Sequence, residues 1–458
     1  MIISRRFRTL SFVFLFALLI FSSCKEEELQ PSPQVIEIND FIWEHMTNLY
    51  LWNEYIPQNI DRSNAFDPSD YFEKLLYKPT DRWSFITDDY EALINSFKGI
   101  EKSFGYNLRL FLAPNSNNIL GIVKYVVPES PADFAGISRG DMIYKVNGNL
   151  LNSDNYYQLL FESESTTFSF GEFDQNGQIT ATDTKSLTSV LVTENPILNH
   201  KTIDYEGNKI GYLLYNQFIL EYEDSLASVF TKFQQDGIQD LVLDLRYNPG
   251  GYGTTATFLA SMIAPANPVL NNDIFSRKIW NDEVNDYFLQ EEGEQSNNLV
   301  STFVTPPVNL NLDRIYILIT KNSASASELI INCLSPYMEV ILIGEDNTTG
   351  KYVGSITIHD DESSHNWAMQ PITMKSANVD GISDYGDGFA PNYIVEDDFN
   401  APLGTLEEDM LAKAIELITG VTIGEPARIA TPKFPANAIP IRNPRMEKKQ
   451  LLLIEMAK

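Results

Sequence analysis

The chain has 458 residues, of which 43% are hydrophobic, and a formal net charge of −29 at pH 7. This length predicts two or three domains, each with enough apolar residues for a substantial core. The negative charge argues against nucleic acid as a partner, because a phosphate backbone would be repelled and no large Lys/Arg cluster offsets the repulsion.

Residues 1–24 are predicted to be an export signal. Three arginines precede an apolar run at residues 11–21 that is too short to span a bilayer comfortably. Small residues stand directly before Cys24, which resembles a bacterial lipobox, where the cysteine is lipidated and becomes the mature N-terminus. The resemblance implies an outer-membrane lipoprotein facing the periplasm or the cell surface, with residues 25–35 as a tether. Since Cys333 is the other cysteine, no structural disulfide is expected within the mature chain.

Residues 36–96 are predicted to form a small helical N-terminal region. Aromatic residues such as Trp43, Tyr50 and Tyr71 recur there at helix-like spacing. They are expected to be core residues, and no cofactor is implied.

Short strands dominate residues 97–193. The elements Ser-Pro-Ala (130–132), Ala-Gly-Ile (135–137), Gly-Asp-Met-Ile (140–143) and Val-Asn-Gly (146–148) follow one another as they do in PDZ domains, which this stretch resembles. In PDZ domains a glycine-containing loop binds a peptide carboxylate and the next strand edge accepts the peptide as an added strand. The resemblance implies a peptide site at Phe104, Gly105, Tyr106 and Asn107, with Asn107 to Phe111 as the strand edge that accepts the peptide. The alternative is a degenerate PDZ fold kept only for packing.

From residue 194 to 420, strand-like and helix-like patterns alternate, which predicts an α/β layer with crossovers. Runs at 241–245 and 314–320 are typical of buried strands, and the run at 328–334 is typical of a helix. Ligands in such folds gather at the carboxyl ends of strands, where residues 246–251 and Ser325 both fall. Residues 421–458 form a C-terminal tail, for which the pattern indicates no clear role.

Ser325 lies in Lys-Asn-Ser-Ala-Ser-Ala-Ser-Glu (321–328), where the strand-like run meets the helix-like run. A helix N-terminus offers unpaired N–H groups and a partial positive charge that would stabilise an oxyanion. The sequence Ser325-Ala-Ser-Glu328 also fits a capping box, which needs no chemistry. Both interpretations remain open from these residues alone.

Three motifs together resemble the C-terminal processing peptidases of serine peptidase family S41. They are Asp-Leu-Arg-Tyr-Asn-Pro-Gly-Gly (244–251), the serine-rich run and the pair Gly350-Lys351, preceded by the PDZ-like stretch. The resemblance implies a crotonase-like ββα core with the PDZ domain inserted in or preceding it. It also implies Ser325 as nucleophile, Lys351 as general base, and an oxyanion hole made by the backbone N–H groups of Ala326 and of the Gly250–Gly251 turn. The implied activity is cleavage of protein or peptide substrates, without a cofactor or metal and with substrate tails bound by the PDZ domain.

A lysine acts as a base only when it is neutral, so the pKa of Lys351 must fall from about 10.4 to roughly 7–8. Burial has to supply that shift, and Glu345 and Asp346 would oppose it unless the loop points them outward. The glutamine that follows the lysine by one turn in the family is replaced here by Ser355, and Gln370 is a candidate to supply the amide.

Other functions are weighed against this one. The chief rival is a noncatalytic PDZ scaffold or peptide-binding lipoprotein that has lost the geometry of the base. A crotonase-type acyl-CoA enzyme is disfavoured by the serine and lysine motifs. The four histidines show no metalloprotease spacing, and His359 with Asp360 would form a Ser-His-Asp triad only from a polar hairpin tip. The sequence does not indicate an oligomeric state.

Overall fold

The computed structural model of the chain describes residues 30–113, 116–174, 177–360, 364–423 and 439–441, together with the backbone pairing of residues 453–455. The predicted signal segment, Cys24 and residues 25–29 of the predicted tether lie outside these residues. Within the described ranges, no helix combines the length and the apolar character needed to cross a membrane.

The N-terminal region contains three α-helices, two short 3-10 helices and one strand. The α-helices and the strand are α1 (Pro33–Leu49), α2 (Pro68–Leu75), β1 (Phe85–Thr87) and α3 (Tyr90–Phe97). Side chains cap the helices: the Ser32 hydroxyl accepts the Val35 N–H at 3.3 Å, and the Asp67 carboxylate accepts the N–H of Ser69 at 2.7 Å. The prediction of a helical region did not include β1, which later pairs with a strand far along the chain.

A β-rich region follows. Its elements are β2 (Ile100–Ser103), β3 (Tyr106–Leu112), β4 (Ile119–Val126), α4 (Pro131–Phe134), β5 (Met142–Val146), β6 (Asn149–Leu150), β7 (Ser165–Phe173), β8 (Ile179–Thr188) and β9 (Val190–Thr193). Strands β3, β4, β5, β7 and β8 are neighbours in that order in one antiparallel sheet. Buried side chains such as Leu108, Val123, Ile143 and Phe168 give this region its own core.

The remaining elements form the largest part of the molecule. They are β10 (Ile197–Tyr205), β11 (Asn208–Tyr215), α5 (Glu223–Asp236), β12 (Asp240–Asp244), β13 (Gly251–Tyr252), α6 (Gly253–Ile263), α7 (Ala266–Leu270), β14 (Ile274–Trp280), α8 (Asp282–Glu291), β15 (Val300–Thr302), β16 (Arg314–Ile319), α9 (Ala326–Leu334), β17 (Glu339–Gly344), β18 (Val353–Ile356), β19 (Ile358–His359), β20 (Ala368–Gln370), β21 (Ile372–Ala377), β22 (Tyr393–Ile394), α10 (Asp409–Thr419), β23 (Ile439–Ile441) and β24 (Leu453–Glu455).

A six-stranded sheet with the order β10-β11-β12-β16-β17-β22 forms the centre of this part. From β11 to β22 its strands are parallel, and β10 is an antiparallel edge. Residues of α5, α6 and α9 pack on one face of the sheet, and residues of α10 pack on the other. The predicted α/β class is therefore confirmed.

A second sheet, in the order β13-β24-β18-β21-β14-β15, is joined to the N-terminal helices through a common core. Ile42 and Phe72 of the helices belong to the same buried cluster as Val353 and Ile372 of the sheet. Strand β1 pairs with β20, with Phe85 opposite Gln370. The N-terminal helices therefore share their hydrophobic core with strands near residue 360 and do not form a separate core of their own.

Two strands from the tail segment pair with distant parts of the chain. Strand β23 runs antiparallel to β3, with Ile439 opposite Leu112 and Ile441 opposite Leu110. The edge at Asn107 to Phe111, which we expected to accept a peptide, is thus already paired over its second half. Strand β24 lies between β13 and β18 and is parallel to both.

Candidate active site

The candidate site forms where β12 and β16 end side by side. These strands are parallel neighbours, with Asp244 opposite Leu318, so the loops that follow them meet. In the first loop, the backbone carbonyl of Asn248 accepts the N–H of Ala324 at 3.1 Å and the hydroxyl of Ser327 at 3.0 Å. The expectation that residues 246–251 and Ser325 lie together at the strand ends agrees with this geometry.

Ser325 precedes the first residue of α9 and has an unusual backbone conformation. Its φ is 60° and its ψ is −113°, a region that residues other than glycine rarely adopt. Its side chain is buried, and the hydroxyl has no hydrogen-bond partner among the residues that the structure describes. The hydroxyls of Ser323 and Ser327, on either side, donate to the carbonyls of Leu245 and Asn248. Of these three serines, Ser325 alone has a hydroxyl that no structural hydrogen bond occupies.

Glu328 connects the serine turn to the loop that carries Lys351. Its Oε2 accepts the N–H of Ser325 at 2.9 Å and the N–H of Lys351 at 2.8 Å. Its Oε1 accepts the Thr348 hydroxyl and the Gly350 N–H, both at 2.6 Å. Burial raises the pKa of Glu328, and these hydrogen bonds oppose that shift.

The glutamate half of the capping-box pattern is present, because Glu328 accepts the Ser325 N–H, yet the glutamate does more than cap a helix. We did not predict this connecting role. The sequence signal was the S-x-x-E pattern, which is the same whether the glutamate only caps or also reaches a distant loop.

Lys351 is almost completely buried, with 1% of its surface exposed. Burial lowers its pKa to about 7, against the raising influence of the Glu328 and Asp81 carboxylates. Asp81 comes from the N-terminal region, where it accepts hydrogen bonds from the Tyr50 hydroxyl at 2.7 Å and the Trp83 N–H at 2.9 Å.

The two carboxylates that we expected to oppose the lowered pKa of Lys351 have other positions. Glu345 forms an ion pair with Arg109 at 2.7 Å, and the side chain of Asp346 is 55% exposed and lies 3.9 Å from Lys321. The negative charges that act on Lys351 are instead Glu328 and Asp81.

The backbone donors expected to form an oxyanion hole are only partly available. Ala326 is the first residue of α9, so the preceding turn offers no helical acceptor for its N–H. The N–H of Gly250 donates to Asn248 Oδ1 at 2.8 Å, so this donor of the predicted turn is engaged within the loop. Gly251 is the remaining candidate of the pair. A Cβ atom on Gly251 would lie 2.2 Å from the Phe218 carbonyl oxygen, which explains why the turn needs glycine there.

A buried ionic cluster holds the loop at residues 246–251. The Arg246 guanidinium pairs with Asp244 at 2.9 Å and with Glu408 at 2.7 Å. Arg139 of the β-rich region donates to Asp397 and to the Tyr247 hydroxyl, each at 2.6 Å. Burial alone would raise the pKa of Asp397, but Arg139 and Arg246 hold it at about 2. The β-rich region therefore contacts the same loop that carries Gly250 and Gly251.

The expected peptide site lies beside an open cavity in the β-rich region. Gly105, Tyr106 and Asn107 line the cavity, together with Tyr125 and Glu194. Phe104 and Tyr106 themselves are buried core residues, with ring centroids 5.9 Å apart. A ligand at this place would thus meet the backbone of the loop more readily than these two rings.

Other residues considered above have structural contacts. Gln370 donates to the Thr357 hydroxyl at 2.7 Å, and its Oε1 accepts the Ser355 hydroxyl at 3.4 Å. The His359 ring stacks on Tyr90 at 4.1 Å, and Cys333 is buried as a free thiol. Among the residues described, no group of three or more His, Cys, Asp or Glu side chains could hold a metal ion.

Comparisons with known proteins complete the description of the site. Residues 209–394 match the family model of peptidase family S41, and residues 37–85 match that of the peptidase S41 N-terminal domain. A solved Bacteroides fragilis structure, assigned to the S41 proteases, has a TM-score of 0.69 and 27% identity and covers 84% of this chain and 98% of its own.

Two curated relatives are similar over shorter stretches. A Staphylococcus aureus (strain N315) protein, assigned as a CtpA-like serine protease, is 25% identical over 269 residues, which is 58% of this chain and 48% of its own. The chloroplastic carboxyl-terminal-processing peptidase 3 of Arabidopsis thaliana is 26% identical over 260 residues, 53% of this chain and 45% of its own. The chain thus spans about half the length of these curated relatives.

Proposed function

Because the chain belongs to peptidase family S41, we propose that it is a serine endopeptidase that cleaves protein or peptide substrates with Ser325 and Lys351. One observation carries the proposal. The buried Lys351, whose pKa is about 7, donates its backbone N–H to Glu328 Oε2. The same oxygen accepts the backbone N–H of Ser325, whose hydroxyl has no hydrogen-bond partner among the described residues. The proposed core is crotonase-like, which the parallel sheet and its crossover helices support.

In the proposed reaction, neutral Lys351 takes the proton from the Ser325 hydroxyl as Oγ attacks the substrate carbonyl. The N–H of Ala326 and the N–H of Gly251 stabilise the negative charge that develops on the carbonyl oxygen. The Lys351 ammonium then gives its proton to the leaving amine, and an acyl-enzyme remains. In the second step Lys351 takes a proton from water, which attacks the ester, and returns it to Ser325 Oγ.

The pH dependence of hydrolysis tests this role of Lys351. We expect kcat/KM for an unfolded protein substrate to rise about tenfold per pH unit below pH 7 and to level off above it, because only neutral lysine accepts the proton. The measurement uses the soluble form that begins after Cys24, between pH 5.5 and 9.5. A rate that keeps rising up to pH 9.5 would assign Lys351 an ordinary pKa and contradict the proposal.

We further propose that the β-rich region at residues 97–193 acts as a PDZ module that binds substrate tails at Gly105 to Asn107. The cavity beside these residues and the positive φ of Gly105, 85°, support this assignment. A labelled peptide with a free carboxyl terminus should bind more tightly than its amidated form. Equal affinity for the two peptides would mean that the region does not recognise the terminal carboxylate.

We also propose that the protein is exported and lipid-anchored through Cys24. The basic and apolar segment before this cysteine supports the assignment. Mass spectrometry of the mature N-terminus decides the point, since an unmodified Cys24 or an N-terminus elsewhere would exclude the anchor.

A noncatalytic peptide-binding lipoprotein is the alternative. It predicts intact peptide binding with no hydrolysis of any substrate at any pH, so the pH experiment distinguishes the two functions.

A further inference from the structure

Strand β24 comes from the predicted tail, yet it is an interior strand of the second sheet. On one side Leu453 and Ile454 pair with Gly251 and Tyr252 of β13. On the other side Ile454 and Glu455 pair with Ser355 and Ile356 of β18. Without residues 453–455, β13 and β18 would face each other across a gap one strand wide, which we call the slot.

The slot lies between the two parts of the candidate site. Strand β13 begins at Gly251, next to Gly250, where an added Cβ atom would lie 3.0 Å from Ser325 Oγ. Strand β18 begins at Val353, two residues after Lys351. The nucleophile therefore borders one side of the slot, and the base precedes the strand on the other side.

A peptidase has to hold the scissile bond in an extended conformation against its nucleophile and oxyanion donors. Adding the substrate as a strand to exposed sheet edges achieves this through backbone hydrogen bonds. The slot offers two such edges, and Gly251, the remaining oxyanion candidate of its turn, belongs to one of them. An extended substrate in this position would need the place that residues 453–455 occupy.

We propose that residues 453–455 are an intramolecular inhibitor seated in the substrate slot between β13 and β18. This inference rests on the proposed peptidase function. The sequence around this strand, Gln-Leu-Leu-Leu-Ile-Glu (450–455), contains four consecutive aliphatic residues and no proline, which is compatible with an extended strand. The segment is also bound further upstream, where Ile439–Ile441 pairs with β3, so the inhibitor stays close to the slot.

The first experiment compares Ile454→Pro with Ile454→Val in the full soluble chain. Proline lacks the backbone N–H and does not fit between two paired strands, whereas valine keeps the backbone bonding. A tethered inhibitor has an effective concentration near the millimolar range, so we expect Ile454→Pro to raise kcat/KM for a short peptide about tenfold or more. The kcat at saturating substrate should stay within about twofold of wild type. An inhibitor that competes with substrate for the slot lowers the fraction of enzyme with an open slot, and saturating substrate restores that fraction. Ile454→Val should behave as wild type.

Two results of this experiment would overturn the inhibitor. One is an Ile454→Pro variant with the wild-type kcat/KM. The other is an Ile454→Pro variant with lower activity and a lower unfolding temperature, which would make β24 a structural strand of the enzyme.

A second experiment does not depend on catalysis. A fluorescent peptide with the sequence of residues 448–458 is titrated against Ser325→Ala and against Ser325→Ala with Ile454→Pro. We expect binding to the double variant at least about tenfold tighter than to the single variant, where the slot is filled. The same peptide with proline at the position of Ile454 should not bind.

The two experiments separate the inference from the proposed function. If the peptide binds the double variant more tightly than Ser325→Ala but the wild-type protein cleaves no substrate, the peptidase function is refuted. The proposal that residues 453–455 fill the slot would still hold. Hydrolysis by wild type without any peptide binding to the double variant would refute the inhibitor and leave the peptidase standing.

Discussion

Replacing Ser325 with alanine is expected to lower peptide hydrolysis at least about ten-thousand-fold, because no other group can form the acyl-enzyme. The free energy of unfolding should stay within about 1 kcal/mol of wild type, since the buried Ser325 hydroxyl has no hydrogen bond to lose among the described residues. Alanine also leaves in place the Glu328 bond to the N–H of residue 325. Activity assays and denaturant unfolding on the same samples measure both effects.

The neighbouring serines provide matched controls. The Ser323 hydroxyl donates to the Leu245 carbonyl at 2.8 Å and accepts the Thr320 N–H at 3.1 Å, and the Ser327 hydroxyl donates to the Asn248 carbonyl at 3.0 Å. Ser323→Ala and Ser327→Ala should therefore each lose about 1–3 kcal/mol of stability and keep hydrolysis within about tenfold of wild type. Wild-type rates in Ser325→Ala, or complete loss of activity in Ser323→Ala with unchanged stability, would assign the nucleophile elsewhere.

Lys351→Met is expected to lower the rate of hydrolysis about a thousand-fold or more. The same substitution should raise the free energy of unfolding. The pKa of Lys351 falls from 10.5 to about 7 on folding, so the folded state binds its proton more weakly than the unfolded chain. Below pH 7 both states are protonated, and the folded state carries the full cost, up to about 5 kcal/mol. From pH 7 to 10.5 the unfolded chain binds more protons, so wild-type stability rises with pH and the cost disappears above that range.

The stability gain of Lys351→Met should therefore be largest at pH 6 and should shrink steadily towards pH 10. Urea unfolding at pH 6, 8 and 10 measures the gain, with Lys321→Met as the control. The Lys321 side chain is 78% exposed, so its replacement should change neither activity nor the pH dependence of stability appreciably. Equal stability of wild type and Lys351→Met at pH 6 would mean that burial does not lower the pKa of this lysine.

Local patterns predicted the elements that carry the candidate site. The β-branched run at 314–320 is a strand over Arg314–Ile319, and the apolar run at 328–334 belongs to a helix that begins at Ala326. These predictions succeed because a strand or a helix of this length shows its burial pattern in consecutive residues. The position of Ser325 at the join follows from them.

Contacts between distant residues could not be predicted in the same way. Asp81 acts on Lys351 across most of the chain, and the sequence contains no local sign of that proximity. The bond from Gly250 to Asn248 is a different case, because asparagine side chains often bind the backbone N–H two residues on. That turn chemistry was visible in Asn-Pro-Gly-Gly, and it identifies which donor of the turn is engaged. Strands β23 and β24 escaped prediction because three residues are too few to show a period of two.

The core shared by the N-terminal helices and the second sheet has a consequence for how the protein folds. The apolar faces of α1 and α2 are synthesised long before Val353 and Ile372, which cover them. Contacts between residues so far apart in sequence form slowly, because the entropic cost of closing a long loop comes before the contacts can stabilise the chain. Tyr352 and Val353, which follow Lys351, pack in this same core, so the burial that lowers the pKa of Lys351 is completed by the same late assembly. We therefore expect the lysine to acquire its lowered pKa only in the last folding step, so that a partly folded chain has no working base with which to cut itself or its neighbours.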